Sequence, residues 1–337
     1  VCSSPERALQ LAAAAEALRP ASLVVHTATD GDLALVRATG DPDRLADVMA
    51  PFSDVGLYRT AARSLLRHRR RWPLGESTPG VSRIYFTRAR PGLSADDYHR
   101  YWEPEHGPRA LRHHMGMWDY TQISVTETLA GEHFDGIAAT VWPRVEELDG
   151  RFTDGPLGDA IIAHDAAQFT DVENLARYSM DERVVVEAPV TAAGRIEVTD
   201  ARHLEFGCPA ESLWGLIGDF AAIGKWWPSP LTCSISSESG VGATRTLHEP
   251  GGPEVVERLT QYRPEERMLQ LAIDHGLPLE LEAYTSRYEV RPVGPNACRL
   301  DWYPRGILRG ESVEDFGAFV DAQWEALSAG LIAVTGG

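Results

Sequence analysis

Cysteine, positive charge and long apolar runs are what this sequence has little of. The four cysteines, Cys2, Cys208, Cys233 and Cys298, lack the short spacings of a metal knuckle or a disulfide framework and read as reduced structural thiols. Lys and Arg number 32 against 49 Asp and Glu, a formal net charge of -17. That balance excludes nucleic-acid and anionic-membrane partners as a first expectation, since phosphate binding needs clustered positive charge. The basic run Arg67-His68-Arg69-Arg70-Arg71 reads as a solvated helix end. No apolar run approaches a membrane span, and the amphipathic N-terminal stretch is not a signal peptide, so a cytoplasmic protein is expected. There is no Walker pattern, no Gly-x-Ser-x-Gly element and no Cys/His nucleophile pair, and Gly240 to Thr244 is too short for a dinucleotide loop. No cofactor is expected. Nor is a metal, because His99, His106, His113 and His114 lack a carboxylate at a helical offset that would complete a zinc or iron site.

With 337 residues the chain suits two or three domains, each able to bury its own core. Residues 1–75 read as helix, strand, strand, helix, with Ser4 as N-cap and Pro5 at the first helical position. A Pro, Gly and Ser-rich linker spans Trp72 to Pro79. Residues 80–188 follow with βαββαβ, in which Pro104 and Gly107-Pro108 are expected to break the first helix. The two units share an order of elements, the first being degenerate, and packing them sheet to sheet would close an α+β barrel within one chain. After a second linker, Pro189 to Gly194, residues 195–337 read as strand, helix, a bent antiparallel sheet, and a long amphipathic helix with Ser312 as N-cap. A sheet wrapped around such a helix leaves a cavity between them.

The stretch Gly240 to Leu259 organises that last domain. Two strands flank Glu249-Pro250-Gly251-Gly252-Pro253, a turn no helix would tolerate. Pairing about Gly251 puts Leu247 opposite Val255 and Arg245 opposite Glu257, both pairs on one face. On a concave face the ion pair becomes a charged spot in an apolar cavity.

Two resemblances stand on particular residues. The run from Arg83 through Pro91-Gly92-Leu93-Ser94, Tyr98-His99-Arg100-Tyr101-Trp102 and His106-Gly107-Pro108 resembles the EthD-type members of the dimeric α+β barrel superfamily. Asp219-Phe220, Lys225-Trp226-Trp227-Pro228, Gly240-x-Gly242-Ala243-x-Arg245, the Pro-Gly-Gly turn and Glu257-Arg258-Leu259 resemble the polyketide cyclase/dehydrase and lipid-transport group of the START-like (SRPBCC), helix-grip superfamily. The resemblances imply an α+β fold class: a ferredoxin-like barrel of two tandem units followed by a helix-grip domain. They also imply a small hydrophobic or aromatic ligand, with cofactor-independent cyclisation, dehydration or aromatisation of a polyketide intermediate as the expected chemistry. A carrier that leaves its ligand unchanged is an alternative. So is a barrel acting as a cofactor-free oxygenase or dehydratase with the C-terminal domain as clamp. Kinship with dimeric barrels leaves a homodimer open.

The candidate catalytic residues are Arg245, Glu257 and His106. Arg245 can polarise a ketone or hold an enolate while Glu257 shuttles a proton, or the two can simply neutralise each other. His106 suits acid/base work near neutrality, or it can merely end a helix. Trp226, Trp227, His248, Tyr262, His275, Tyr284, Tyr288 and Trp302 are candidates for the lining of the C-terminal cavity, and Tyr98, His113 and Tyr120 for a site in the EthD-like part.

Overall fold

Ser4 accepts a hydrogen bond from the Arg7 amide at 3.3 Å, and Pro5 fills the first helical position, where its missing N–H costs nothing. From there α1 (Pro5–Glu16) lays Ala8, Leu11, Ala12 and Ala15 on a hairpin of β1 (Ser22–Ala28) and β2 (Ala34–Thr39). The computed structural model describes every residue except Met115, Arg151, 188–195, 237–239, Pro278, Glu280, 309–312 and Gly337. The expected second linker and the Ser312 cap therefore lie outside the described residues. By its contacts the chain divides into two compact units, Val1–Pro189 and Val190–Gly337.

After α2 (Pro42–Met49), the first unit forms β3 (Gly56–His68), a strand the residue pattern conceals. Register shifts between Leu57 and Tyr58, Arg59 and Thr60, and Ser64 and Leu66 break its alternation, so no period of two is legible. The basic run is accordingly no helix end. Arg67 lies next to last in β3 and pairs with Glu187 at 3.6 Å, and Arg70 reaches the same carboxylate at 3.2 Å.

Next come β4 (Val81–Thr87), α3 (Ala95–Tyr101), a π-helical turn (Trp102–His106) and α4 (Gly107–His113). They are followed by β5 (Asp119–Gly131), β6 (Gly136–Trp142), α5 (Val145–Gly150), α6 (Pro156–Phe169) and β7 (Ala176–Val186). The order β5-β6-β4-β7 is that of a ferredoxin-like unit. The earlier strands extend it at both edges, giving β3-β5-β6-β4-β7-β1-β2, antiparallel throughout. Cys2 exchanges backbone hydrogen bonds with Ala34 of β2 at 2.8 and 3.0 Å, and the Val1 amino group bonds the Gly56 carbonyl of β3 at 2.7 Å. These two residues join the outer strands, so the sheet curls into a barrel around Leu35, Ile84, Phe86, Ile123, Val125, Ile137 and Met180.

The helix expected to break at Pro104 stays helical to His113. Pro104 has no N–H to continue the α register; instead the Gly107 amide bonds the Trp102 carbonyl five residues back. Trp102 and Tyr98 pack on Gly136, where an added Cβ would lie 2.6 Å from the Trp102 ring and from the Tyr98 hydroxyl.

In the second unit the strand expected over Ile196 to Leu204 is two, β8 (Ile196–Thr199) and β9 (Arg202–Phe206), paired with different halves of β15 (Ala297–Leu308). Asp200 makes the break, accepting from the Ala201 amide at 2.7 Å and from Arg202 at 3.0 Å. Between them and β15 run α7 (Ala210–Ile217), β10 (Thr232–Ile235), β11 (Thr244–His248), β12 (Glu254–Arg263), β13 (Met268–His275) and β14 (Ala283–Gly294). Strands β10 to β15 pair in sequence order, which makes a continuous meander. α8 (Val313–Thr335) buries Phe316, Val320, Leu327 and Leu331 at helical spacing. It approaches the loop between α7 and β10 so closely at Gly330 that a Cβ there would stand 1.9 Å from the Trp226 carbonyl oxygen.

Candidate functional site

The Glu249 to Pro253 turn sets the register of β11 on β12: Arg245 opposes Glu257 and Leu247 opposes Val255. Arg245 Nε donates to Glu257 Oε2 at 2.5 Å, and both residues are buried. A second guanidinium nitrogen donates to the Phe220 carbonyl at 2.8 Å, with the Arg245 group 4.5 Å above the Phe220 ring. The cation is thus anchored on three sides. Arg245 is the only hydrogen-bond partner of Glu257 among the described residues.

Glu257 also lines a cavity together with Tyr284, Ser286, Tyr288 and Trp302 from the sheet, Trp227 from the loop before β10, and Phe319, Gln323 and Leu327 from α8. The period of two on β14 puts Tyr284, Ser286 and Tyr288 on this one face. Tyr288 stands opposite Trp302, whose indole N–H donates to the Ser286 hydroxyl and whose ring stacks on Trp324 at 5.7 Å. Burial, and then the Glu257 charge, push the Tyr288 phenol up to about 12. Burial likewise raises Tyr284 far above an ordinary phenol. Both therefore remain protonated at neutral pH and can only donate or accept hydrogen bonds, not carry charge. Trp227 is tied to the hairpin turn by its indole N–H, which donates to Glu249 at 2.7 Å; Ser229 donates to the same oxygen at 2.8 Å.

The other expected lining residues fall elsewhere. His248 and His275 are exposed, and Tyr262 lies outside the cavity, 5.9 Å from the Trp214 ring. Strand parity decides the first case, because Arg245 and Leu247 point inward and His248 therefore points out. Trp226 is buried in the α7 core, its indole bonded to the Leu216 carbonyl at 3.3 Å, while its neighbour Trp227 reaches the cavity. Ser286 and Gln323 are lining residues the sequence reading missed; the first was recoverable from its place between Tyr284 and Tyr288, the second from the α8 stripe.

In the first unit, Tyr98 and Tyr120 are buried packing residues. Tyr98 hydroxyl contacts Thr87 at 2.6 Å, and Tyr120 accepts from Gln122 at 3.2 Å. Both phenols are raised by burial. His113 bonds Asp154 at 2.9 Å, and His106 Nδ1 bonds Asp165 at 2.6 Å. Asp165, from α6, is a residue that sequence spacing does not reveal, since 59 positions separate it from His106.

Residues 90–173 match the EthD domain, and residues 195–331 match the polyketide cyclase/dehydrase and lipid transport family. The chain joins an EthD domain to a polyketide cyclase/dehydrase-type domain. No curated protein matches the chain. Among solved structures, the protein XoxI from Bacillus cereus is similar over 41% of this chain and 92% of its own, at 23% identity and a TM-score of 0.36. Norcoclaurine synthase from Thalictrum flavum, in complex with dopamine and hydroxybenzaldehyde, covers 44% of this chain and 91% of its own, at 16% identity and a TM-score of 0.37. A Thermobifida fusca protein covers 41% and 87%, at 26% identity and a TM-score of 0.33. Among the described residues, no helix is long and apolar enough to cross a membrane, and no three His, Cys, Asp or Glu side chains are grouped as metal ligands.

Proposed function

We propose that the cyclase-type domain binds a small hydrophobic, aromatic polyketide-derived molecule and acts on it by acid/base chemistry. The observation that carries this reading is a carboxylate, Glu257, as the one acidic group in the wall of a cavity lined mainly by aromatic and aliphatic side chains, with Ser286 and Gln323 as its other non-aromatic polar groups. A cavity serving transport alone has no need of an ionised group whose desolvation must be offset by a dedicated arginine.

In this reading Glu257 takes a proton from a carbon flanked by two ketones, breaking the C–H bond and leaving its electron pair as an enolate. Tyr284 and Tyr288, held protonated, donate hydrogen bonds to the enolate oxygen. The enolate carbon closes on a second carbonyl of the same chain. Glu257 gives that proton to the alkoxide so formed, then takes the second proton from the same carbon and passes it to the new hydroxyl, which leaves as water as the C=C bond forms; enolisation of the remaining ring ketones completes the aromatic ring. Arg245 fixes the position of the Glu257 Oε2 atom.

Native mass spectrometry of the full chain incubated with a linear aromatic poly-β-ketone thioester tests this directly. Loss of one water from the bound molecule is expected. A ligand that binds and keeps its mass through long incubation would instead make the domain a carrier.

A further inference from the structure

The EthD domain contains a second arrangement with the parts of a proton-transfer site. His106 Nδ1 bonds Asp165 Oδ2 at 2.6 Å. Tyr101 donates to Asp165 Oδ1 at 2.8 Å, and Arg109 donates to the same oxygen and to the Tyr101 hydroxyl at 3.2 Å. Asp165 is 2% exposed. Burial drives its carboxyl up, but the bonds from His106 and Tyr101 and the Arg109 charge outweigh that, so it is held below the ordinary carboxylate range and stays ionised.

Backbone irregularity makes the cluster possible. In a regular α-helix, residues five apart sit about 140° around the axis from each other, so Tyr101 and His106 could not both meet one carboxylate. The π turn over Trp102–His106 supplies the extra residue that brings them to the same side. Gly107 completes the fit: a Cβ there would stand 2.8 Å from Leu65 and 3.3 Å from the Gln122 amide.

A tie between helices would be satisfied by Arg109 and Tyr101 on one carboxylate oxygen. The imidazole on the other oxygen adds a group with its second nitrogen left over. No hydrogen bond is made by His106 Nε2 among the described residues, and the side chain is 14% exposed, enough to be reached. Its ring packs 4.9 Å from the buried Phe169, which stacks on Tyr101 at 5.4 Å, so the imidazole is seated on an aromatic cluster. An ionised carboxylate on Nδ1 fixes the tautomer that presents a bare Nε2, the form a general base requires.

We propose that His106, held by Asp165, is the base of an independent catalytic site that enolises aromatic ketones. The C–H bond beside the carbonyl breaks, its electron pair becomes the enolate, and the proton passes to Nε2. Return of that proton to carbon or oxygen gives the keto or enol tautomer, with no co-reactant consumed. Asp165 is a positioning residue, and Tyr101 and Arg109 hold Asp165.

The test is deuterium incorporation at the benzylic position of 2-tetralone in heavy water, followed by proton NMR. It is run on the full chain in a Glu257→Gln background so that the cavity of the other domain is silenced. We expect exchange faster than in buffer, falling on the order of a hundredfold on adding His106→Gln, whose amide can keep the bond to Asp165. Nitrogen-15 shifts of His106 should report an Nδ1-protonated ring that loses this preference in Asp165→Asn, with exchange slowing in step, whereas a purely structural aspartate would leave exchange unchanged. Exchange no faster than buffer, or equally fast with and without His106, would overturn the proposal while leaving the reading of the cyclase-type domain intact.

Discussion

Arg245 and Glu257 face each other across β11 and β12, and their side chains close an ion pair of 2.5 Å in the wall of an aromatic cavity. The turn that places them carries Gly251 at a φ of 82°, a left-handed conformation that glycine adopts without strain. A local feature of the sequence thus fixes where a charge appears in an apolar pocket.

Removing one partner of a buried pair strands the other charge. Arg245→Ala should therefore destabilise the second unit by about 3–5 kcal/mol, whereas Arg245→Met combined with Glu257→Leu should cost little or nothing. Urea unfolding of the single and double variants measures the difference, and equal losses in the two would show that packing, not charge, is what the site needs.

The Trp227 indole is held by Glu249 in the same hairpin turn. Glu249→Ala should release that ring from the cavity wall and weaken binding of an aromatic fluorescent probe such as anilinonaphthalene sulfonate roughly fivefold, the worth of one hydrogen bond. Titration against the wild-type chain reads this; unchanged affinity would mean the ring stays in place by packing on Leu327 and its neighbours alone.

His114 supplies a pH prediction for the first unit. Burial lowers its imidazole to about 4 despite the 2.7 Å contact with the Phe152 carbonyl. The unfolded chain then binds a proton that the folded chain refuses over the window from the ordinary histidine value, about 6.5, down to about 4. Stability is present above that window and falls as pH drops through it, by at most about 1.4 kcal/mol per pH unit for one proton. Of the charged groups near it, His106 and His113 deepen the effect and Asp154 opposes it. Thermal melts of wild type and His114→Leu between pH 7 and 4 should differ in slope; parallel curves would remove His114 from the account.

Gly330→Ala places a methyl group against the Trp226 carbonyl. Either α8 or the Trp226 to Pro228 loop must move, so a loss of about 1–3 kcal/mol is expected, together with altered tryptophan fluorescence. A neutral substitution would show that the helix has slack there.

Local chemistry made the hairpin legible: Pro250, the Gly251-Gly252 pair and Pro253 admit one kind of turn, and strand parity then dictates which residues share a face. The same reasoning separates His248 from Arg245 once the inward face is known. β3 was concealed because bulges scramble its alternation. The π turn was concealed because Pro104 ordinarily ends a helix, and only the packing of Trp102 on β6 and the close approach at Gly107 make the wider turn the better solution. The His106 and Asp165 pair depends on that turn and on a contact between distant helices, so no spacing in the sequence encodes it.

The most direct measurement is the conversion of a linear aromatic poly-β-ketone thioester by wild type and by Glu257→Gln, with occupancy of the bound molecule measured in parallel. The account predicts that both bind and that the variant forms the cyclised, dehydrated product on the order of a hundredfold more slowly. Equal conversion by the two proteins at equal occupancy would contradict it.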